Sequence, residues 1–445
     1  MNDTGLMNDT GLMNDTGLMN DEAINDLISY LDESPSHWHA ALTSAARLRA
    51  AGFTELPMGQ SWDVAPDKGF VVRGAALVGW CRSENATTTS RLRIVGAHTD
   101  SPGLRVKPRP DTGGYGWKQL AVEVYGGALL NSWLDRDLGV AGQVVTSDGP
   151  RMLAIREPVA RIPQLAIHLD RDINERGLIL DKHSHLTPVW GAGSPAAGEF
   201  NAWIAQQLAT TPDSITAWDL SLFDVTTASP LGAQRDLLAA GRLDNQLSCW
   251  AATSALCALG GAAAAPVDGT SVIALFDHEE VGSESTGGAA GPLLEQVLER
   301  LALSRGASRT DYLTQLAAGS CISSDNAHSV HPNYPERHEA AHRPVVNQGP
   351  AIKLNHNQRY ATTAAGSAML QRVFEAADVP WQVFVSRNNM PCGTTIGPMT
   401  ATRLGIETVD VGVPQLSMHS ARELCGTKDP VWLQRALATY LAGTY

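Results

Sequence analysis

Five short segments of this 445-residue chain carry the residue types from which a buried divalent-metal centre is built: GAHTDSPG (96–103), GRLDNQ (241–246), FDHEEVGS (276–283), SSDNAHSVHPN (323–333) and QLSMHSARE (415–423). Their leading candidates are two histidines, His98 and His419, and the carboxylates Asp100, Asp244, Glu279, Glu280 and Asp325. Zinc, manganese or cobalt takes mixed imidazole and carboxylate donors, and two such ions can share one carboxylate. Asp244 is the choice for that bridge. Asp100 stands two residues beyond His98, where its carboxylate can accept the second imidazole N–H and fix the tautomer. Taken alone, HTD fits a strand-capping histidine at least as well.

Glu279 and Glu280 are adjacent, and neighbouring side chains in extended backbone diverge, so one can bind metal while the other faces a substrate. Dinuclear hydrolysis needs a water made nucleophilic by the metals and a carboxylate that moves its proton to the leaving group. Glu279 is assigned as that base and Glu280 as a ligand. In isolation an EE pair reads more readily as a solvated face; here it follows an apolar run together with Asp277 and His278, which weakens that reading. Asp325 and His419 are weak signals singly, and it is the five segments together that carry the inference. His328, His331, His338, His342 and His356 crowd the same region without assignable roles.

The elements that must position these residues read as follows. A helical start covers 21–51, and strands rich in Val, Ile and Leu cover 68–82 and 91–97. From 104 to 234 the texture changes to short β-like runs punctuated by Gly and Pro. From 241 onward helices (245–260, 291–304, 361–377, 429–442) alternate with apolar strands (271–277, 381–386, 406–412). That alternation predicts an α/β fold, a helix-flanked and mostly parallel sheet formed by 21–103 and 235–445, with 104–234 inserted as a β-rich domain. Ligands bind beyond the carboxyl ends of such strands. His98, the run 277–280, Asp325 and His419 all follow predicted strands.

The formal net charge is −13 and the basic residues are scattered, which argues against nucleic acid or anionic membrane as a partner. No apolar run approaches the roughly 20 residues that span a bilayer. The hexamer MNDTGL occurs three times over residues 1–18, too polar for a signal peptide, and residues 1–20 are expected to be a disordered tail. Six cysteines lack any CxxC or zinc-finger spacing, so reduced thiols and a cytoplasmic location are expected.

From about residue 25 to its end the chain resembles the aspartyl aminopeptidase / aminopeptidase I family of dinuclear zinc exopeptidases. The resemblance rests on GAHTDSPGLRVKP (96–108), VYGGALLNSWLDRDLGVAG (124–142), GRLDNQ (241–246), DHEEVGS (277–283), HPNYPERHE (331–339), NQRYAT (357–362), PCGTTIGP (391–398) and SMHSARE (417–423). It implies two divalent ions per subunit, zinc first and manganese or cobalt next, one held by His98, Asp325 and Asp244, the other by Glu280, His419 and the same Asp244. It also implies Glu279 as general base and Asp100 as the partner of His98. The fold it implies is a metallopeptidase domain interrupted by a β-rich dimerisation domain, assembled into tetrahedral dodecamers. Lys353 of GPAIK would face the first side chain of an acidic peptide, and Tyr360 of NQRYA would lie near the reacting centre. His168 of AIHL would reach a neighbouring subunit's site and stabilise the oxyanion. Expected, then, is release of single N-terminal residues from peptides, with Asp or Glu preferred. The rival readings are a dinuclear deacylase or carboxypeptidase of the same superfamily, and a self-assembling scaffold with a vestigial site.

Overall fold

Alternation along the central strands explains the layers. In Thr270–Phe276, Val272, Ala274 and Phe276 face one side while Ile273 and Leu275 face the other. In Leu92–His98, Ile94 opposes Val95 and Ala97 in the same way. Both faces are therefore apolar and both need covering. Helices His37–Ala50, Leu243–Ala258, Ala364–Ala376 and Lys428–Ala442 supply the core on one side, and Leu293–Leu303, Arg309–Ala318 and Ile396–Leu404 on the other. Each fully buried Val, Ile, Leu or Phe contributes roughly 1.5–3 kcal/mol.

The computed structural model describes residues 13–261 and 266–445, with residues 13–20 given by their backbone alone. The first helix, Met13–Glu33, already begins in the third MNDTGL copy, within the tail expected to be disordered. The first two copies lie outside the described residues.

The main sheet has nine strands, in the order Thr54–Glu55, Lys68–Arg73, Ala76–Arg82, Thr270–Phe276, Leu92–His98, Ser320–Ser324, Glu407–Gly412, Ala351–Leu354, Gln382–Val385. The four strands from Thr270–Phe276 to Glu407–Gly412 run parallel, and antiparallel pairs lie on either side of them. The sheet is thus parallel at its centre and mixed towards its edges. Gly96 lets the Ile396 side chain pack closely on the strand leading to His98, since a Cβ there would come within 2.6 Å of the end of that side chain and push it aside.

Six strands between Gly103 and Asp224 close into a barrel, with its own core of Leu104, Leu120, Leu138, Val140, Leu220 and Leu222. Inside this stretch the helix Glu199–Gln207 adds Phe200 and Trp203, which both meet Trp190 edge-on, Phe200 also meeting Trp218 in the same way. A third sheet of five short strands, Ser229–Leu231, Leu237–Ala240, Glu423–Gly426, Pro414–Leu416 and Ala327–His328, joins the chain leaving the barrel to the loops around His419.

Local details differ from the sequence expectation. The helical start is two helices, broken over Ser34–Ser36, where the Ser36 hydroxyl caps the second by accepting the His39 N–H. The 68–82 run is a hairpin that turns at Gly74, whose φ of +64° suits glycine. The helices Arg309–Ala318 and Ile396–Leu404 and the strand Ala351–Leu354 go beyond the elements that periodicity predicts.

Candidate metal centre

The parallel register places His98 beside Phe276, so the two chain ends that carry His98 and the Glu279–Glu280 pair leave the sheet together. Asp325 follows the neighbouring strand, held by its N–H to the Val411 carbonyl. Asp244 lies at the start of the Leu243–Ala258 helix, where φ −84° and ψ 106° leave the helical region. Its backbone is held on both sides: its N–H donates to Glu423 at 2.9 Å and its carbonyl accepts the Ser101 hydroxyl at 2.6 Å. His419, with φ +67°, donates its N–H to the other Glu423 oxygen at 2.7 Å. One buried glutamate thus sets the backbone of both Asp244 and His419.

These residues converge around the Asp244 carboxylate. His98 Nε2 lies 3.4 Å from Asp244 Oδ1 and 3.8 Å from Asp325 Oδ1, while His419 Nε2 lies 3.3 Å from Asp244 Oδ2 and 3.5 Å from Glu280 Oε1. None of these separations is a normal hydrogen bond. Asp244 Oδ1 and Glu280 Oε1 are buried acceptors without a donor among the described residues. The donor atoms fall into three-residue groups within 4.8 Å: His98–Asp244–Asp325, Asp244–Glu280–His419 and His98–Glu279–Glu280. Uncompensated buried carboxylate oxygens facing imidazole nitrogens are what a divalent cation satisfies. The donor set therefore fits metal.

The two histidines are set for that role by their other nitrogen. His419 Nδ1 donates to the Gly127 carbonyl at 3.1 Å, directing Nε2 at Asp244 and Glu280. His98 Nδ1 meets the Asp100 backbone carbonyl at 3.0 Å, with the Asp100 carboxylate further off at 3.4 Å. The main orienting contact is thus the carbonyl of Asp100 and not, as the HTD spacing predicts, its carboxylate. The Asp100 carboxylate instead accepts the N–H groups of Glu279 and Glu280, each at 3.1 Å, and the Tyr125 hydroxyl at 2.7 Å. Burial works against its charge, but the nearby His98 imidazole, the Tyr125 hydroxyl and the Glu280 N–H outweigh burial and pull its pKa down to about 2.

Glu279 and Glu280 are not in extended backbone, so strand alternation does not separate them, and each offers a carboxylate oxygen within 4.8 Å of the other and of His98. They sit in a single 3-10 turn entered through His278 at φ +64° and left through Gly282 at φ +104°. Burial, reinforced by Asp325 and Asp244, raises the Glu279 pKa to about 7 against the opposing pull of His98. Burial and Asp244 push Glu280 well above the ordinary range. Burial alone would lower His98, yet Asp100, Asp244 and Asp325 together hold it well above its usual value. These shifts share one cause, an excess of buried carboxylates around two imidazoles, which is the charge balance a divalent cation would supply.

Lys353 is buried, with its ammonium 3.6 Å from Asp325 Oδ2, 3.1 Å from the Asn326 carbonyl and 4.9 Å from the Tyr360 ring centre. Tyr360, together with His328, Phe384, Arg337 and Arg387, lines a neighbouring cavity of about 190 Å³, and Lys353 lies behind the Tyr360 ring. His168 is the outlier: it occupies an exposed 3-10 turn, Ile167–Leu169, and makes no hydrogen bond to the other candidates among the described residues. Sequence reasoning passes over Glu423, Tyr125 and Gly127, although all three lie inside segments that it singles out.

The chain matches the model of a family described as the aminopeptidase I zinc metalloprotease family (M18) over residues 30–440. It is 50% identical over 419 residues to a probable M18 family aminopeptidase 2 of Streptomyces coelicolor, covering 94% of this chain and 97% of that one. Among solved structures it is similar to Ape4 from a complex of Ape4 and Nbr1 (TM-score 0.93, 32% identity, 97% of this chain and 87% of that one). It is also similar to the S. cerevisiae mApe1 dodecamer (TM-score 0.81, 27% identity, 95% and 97% covered).

Proposed function

Given that this chain belongs to the aminopeptidase I zinc metalloprotease family (M18) and is a metallo-aminopeptidase, we propose that it is a dinuclear enzyme preferring peptides that begin with Asp or Glu. The observation that carries the dinuclear reading is the Asp244 carboxylate, with His98 at one oxygen and His419 at the other. In this reading His98, Asp325 and Asp244 hold one ion, and Glu280, His419 and Asp244 the other. Zinc is the first choice, with manganese or cobalt as alternatives. Bound there, such ions supply Lewis acidity and lower the pKa of water.

The chain's own groups do the rest. Glu279, largely enclosed beside the proposed ligands, takes the proton of the attacking water and gives it to the leaving amine. Asp100 holds the Glu279–Glu280 backbone so that the base keeps its aim. Lys353 and Tyr360 are assigned to the first side chain of the substrate; Tyr360 lines the cavity of about 190 Å³, while Lys353 lies outside its lining, against the Tyr360 ring.

We read residues 104–234 as a dimerisation domain and the assembly as a tetrahedral dodecamer of dimers, in line with the similarity to the dodecameric mApe1. The exposed apolar side chains Leu165, Ile167, Leu169 and Ile179 beside His168 support a partner surface there. His168 would then act in the partner's site as an oxyanion donor. No helix among the described residues is long and apolar enough to cross a membrane. The six free thiols suit a reducing cytoplasm.

The test is hydrolysis of a panel of aminoacyl fluorogenic amides by the metal-loaded protein, with N-acetylated controls. Release from free-amine substrates, fastest with aspartyl and glutamyl, is expected. Equal cleavage of the acetylated controls would overturn the aminopeptidase assignment, and a flat panel would overturn the acidic preference.

A further inference from the structure

The barrel strand Trp117–Tyr125 ends directly over the candidate centre, and the residues that follow touch it in two places. At the first, the Tyr125 hydroxyl donates to Asp100 Oδ2 at 2.7 Å, and the same carboxylate receives the N–H groups of Glu279 and Glu280. At the second, the Gly127 carbonyl accepts from His419 Nδ1 at 3.1 Å, and the Leu129 N–H donates to the His419 carbonyl at 2.9 Å. The approach between these contacts is close: a Cβ on Gly126 would sit 3.1 Å from the Glu280 Cβ.

Tyr125 is itself held. The Arg105 guanidinium lies 4.1 Å from its ring centre and donates to Asp219 Oδ1 at 2.7 Å. Trp38 and His37, from the helix His37–Ala50, hold the other Asp219 oxygen at 2.8 and 3.1 Å. A cation over an aromatic face, anchored by a multiply bonded carboxylate, leaves the phenol little freedom. The chain of contacts therefore runs from the N-terminal helices through the barrel to the backbone of the base.

We propose that Tyr125 is a positioning residue for the reaction, carried in from the barrel, whose hydroxyl fixes the Asp100 carboxylate and through it the Glu279–Glu280 turn. This rests on Glu279 acting as general base. The barrel then has a part in catalysis within its own subunit, separate from any part in assembly.

The experiment uses the full-length, metal-loaded protein and the variant Tyr125→Phe, which removes one hydroxyl and keeps the ring under Arg105. Loss of such an outer partner typically costs about 10- to 100-fold in activity. That loss is expected in kcat, with KM within about twofold of wild type, metal content unchanged and assembly size unchanged. In Asp100→Asn the further change Tyr125→Phe should then cost almost nothing, since both act through one carboxylate. A wild-type kcat in Tyr125→Phe overturns the proposal, as does a full extra loss on the Asp100→Asn background. If Tyr125→Phe is unstable, Arg105→Met frees the ring while sparing the hydroxyl. It should reproduce part of the kcat loss, and a change confined to KM overturns the proposal. Glu279→Gln, run in parallel, separates the two readings. If it stays active, the general-base assignment fails; if it is inactive while Tyr125→Phe is unimpaired, only the role of Tyr125 fails.

Discussion

The ammonium of Lys353 lies 3.6 Å from Oδ2 of Asp325, with both groups buried. A lysine so placed can read an acidic substrate, or it can serve only to hold Asp325. Lys353→Ala distinguishes the two. Loss of one partner of a buried charge pair costs roughly 2–5 kcal/mol, and under the acidic-preference reading that loss falls on aspartyl and glutamyl substrates and spares leucyl ones. Equal losses on both, accompanied by lower metal content, would leave Lys353 as a support for Asp325 alone.

Removing metal should abolish hydrolysis, and zinc, manganese or cobalt should restore it. Because Asp244 Oδ1 and Glu280 Oε1 are buried without donors, the metal-free protein should also melt at a lower temperature. Ion at 100 times its Kd stabilises by about 2.7 kcal/mol. Full turnover in protein shown by elemental analysis to contain no metal would defeat this.

Within the 3-10 turn, Glu279→Gln is expected to retain metal and lose about 10²- to 10⁴-fold in turnover, as removal of a positioned base does. Glu280→Gln should mainly weaken metal binding, because its orphaned oxygen faces His419. The opposite pattern of metal contents would reverse the two roles.

His168→Ala should lower turnover by about 10²- to 10³-fold, the usual cost of a lost oxyanion donor, without changing metal content or assembly. Mixing it with Glu279→Gln under conditions of subunit exchange should recover activity, since one pairing regains both wild-type groups. Verified exchange without recovery rules out a trans role.

His39 offers a pH test independent of metal. Burial, helped by nearby Arg156, pushes its pKa down to about 4 in the folded protein, against about 6.5 when unfolded. A depressed histidine contributes stability that is complete above the unfolded value and disappears as pH falls through the folded one. Wild type should therefore lose stability between about pH 6.5 and pH 4, and His39→Asn, compared in the same metal state, should lose less. Parallel pH dependences of the two unfolding free energies would refute the assignment.

The main sheet is legible in the sequence wherever apolar runs are long. Leu92–His98 and Thr270–Phe276 stand where Val, Ile and Leu concentrate, and Glu407–Gly412 follows Ile406 with valines alternating with polar residues. Ala351–Leu354 is not legible, since four residues containing a lysine do not announce a strand; pairing with Glu407–Gly412 on one side and Gln382–Val385 on the other makes it one. The helix Arg309–Ala318 escapes for a related reason, its stability resting on a Ser308–Asp311 capping box and tertiary contacts more than on an apolar stripe.

For the site, residue type and position after strands point to His98, Glu279, Glu280, Asp325 and His419 as candidates in the sequence, and residue type within GRLDNQ points to Asp244. Imidazoles and carboxylates together suit zinc, manganese or cobalt, and parallel strands deliver their following loops to one edge. What only the tertiary structure decided is how those donors are held. Asp100 turns its carboxylate to the Glu279–Glu280 backbone, Glu423 spans Asp244 and His419, and Tyr125 arrives from a barrel strand far from Asp244 in the chain. Such contacts leave no local trace, because any buried polar group can be satisfied by many partners and the choice among them depends on which backbone the fold brings within hydrogen-bond reach.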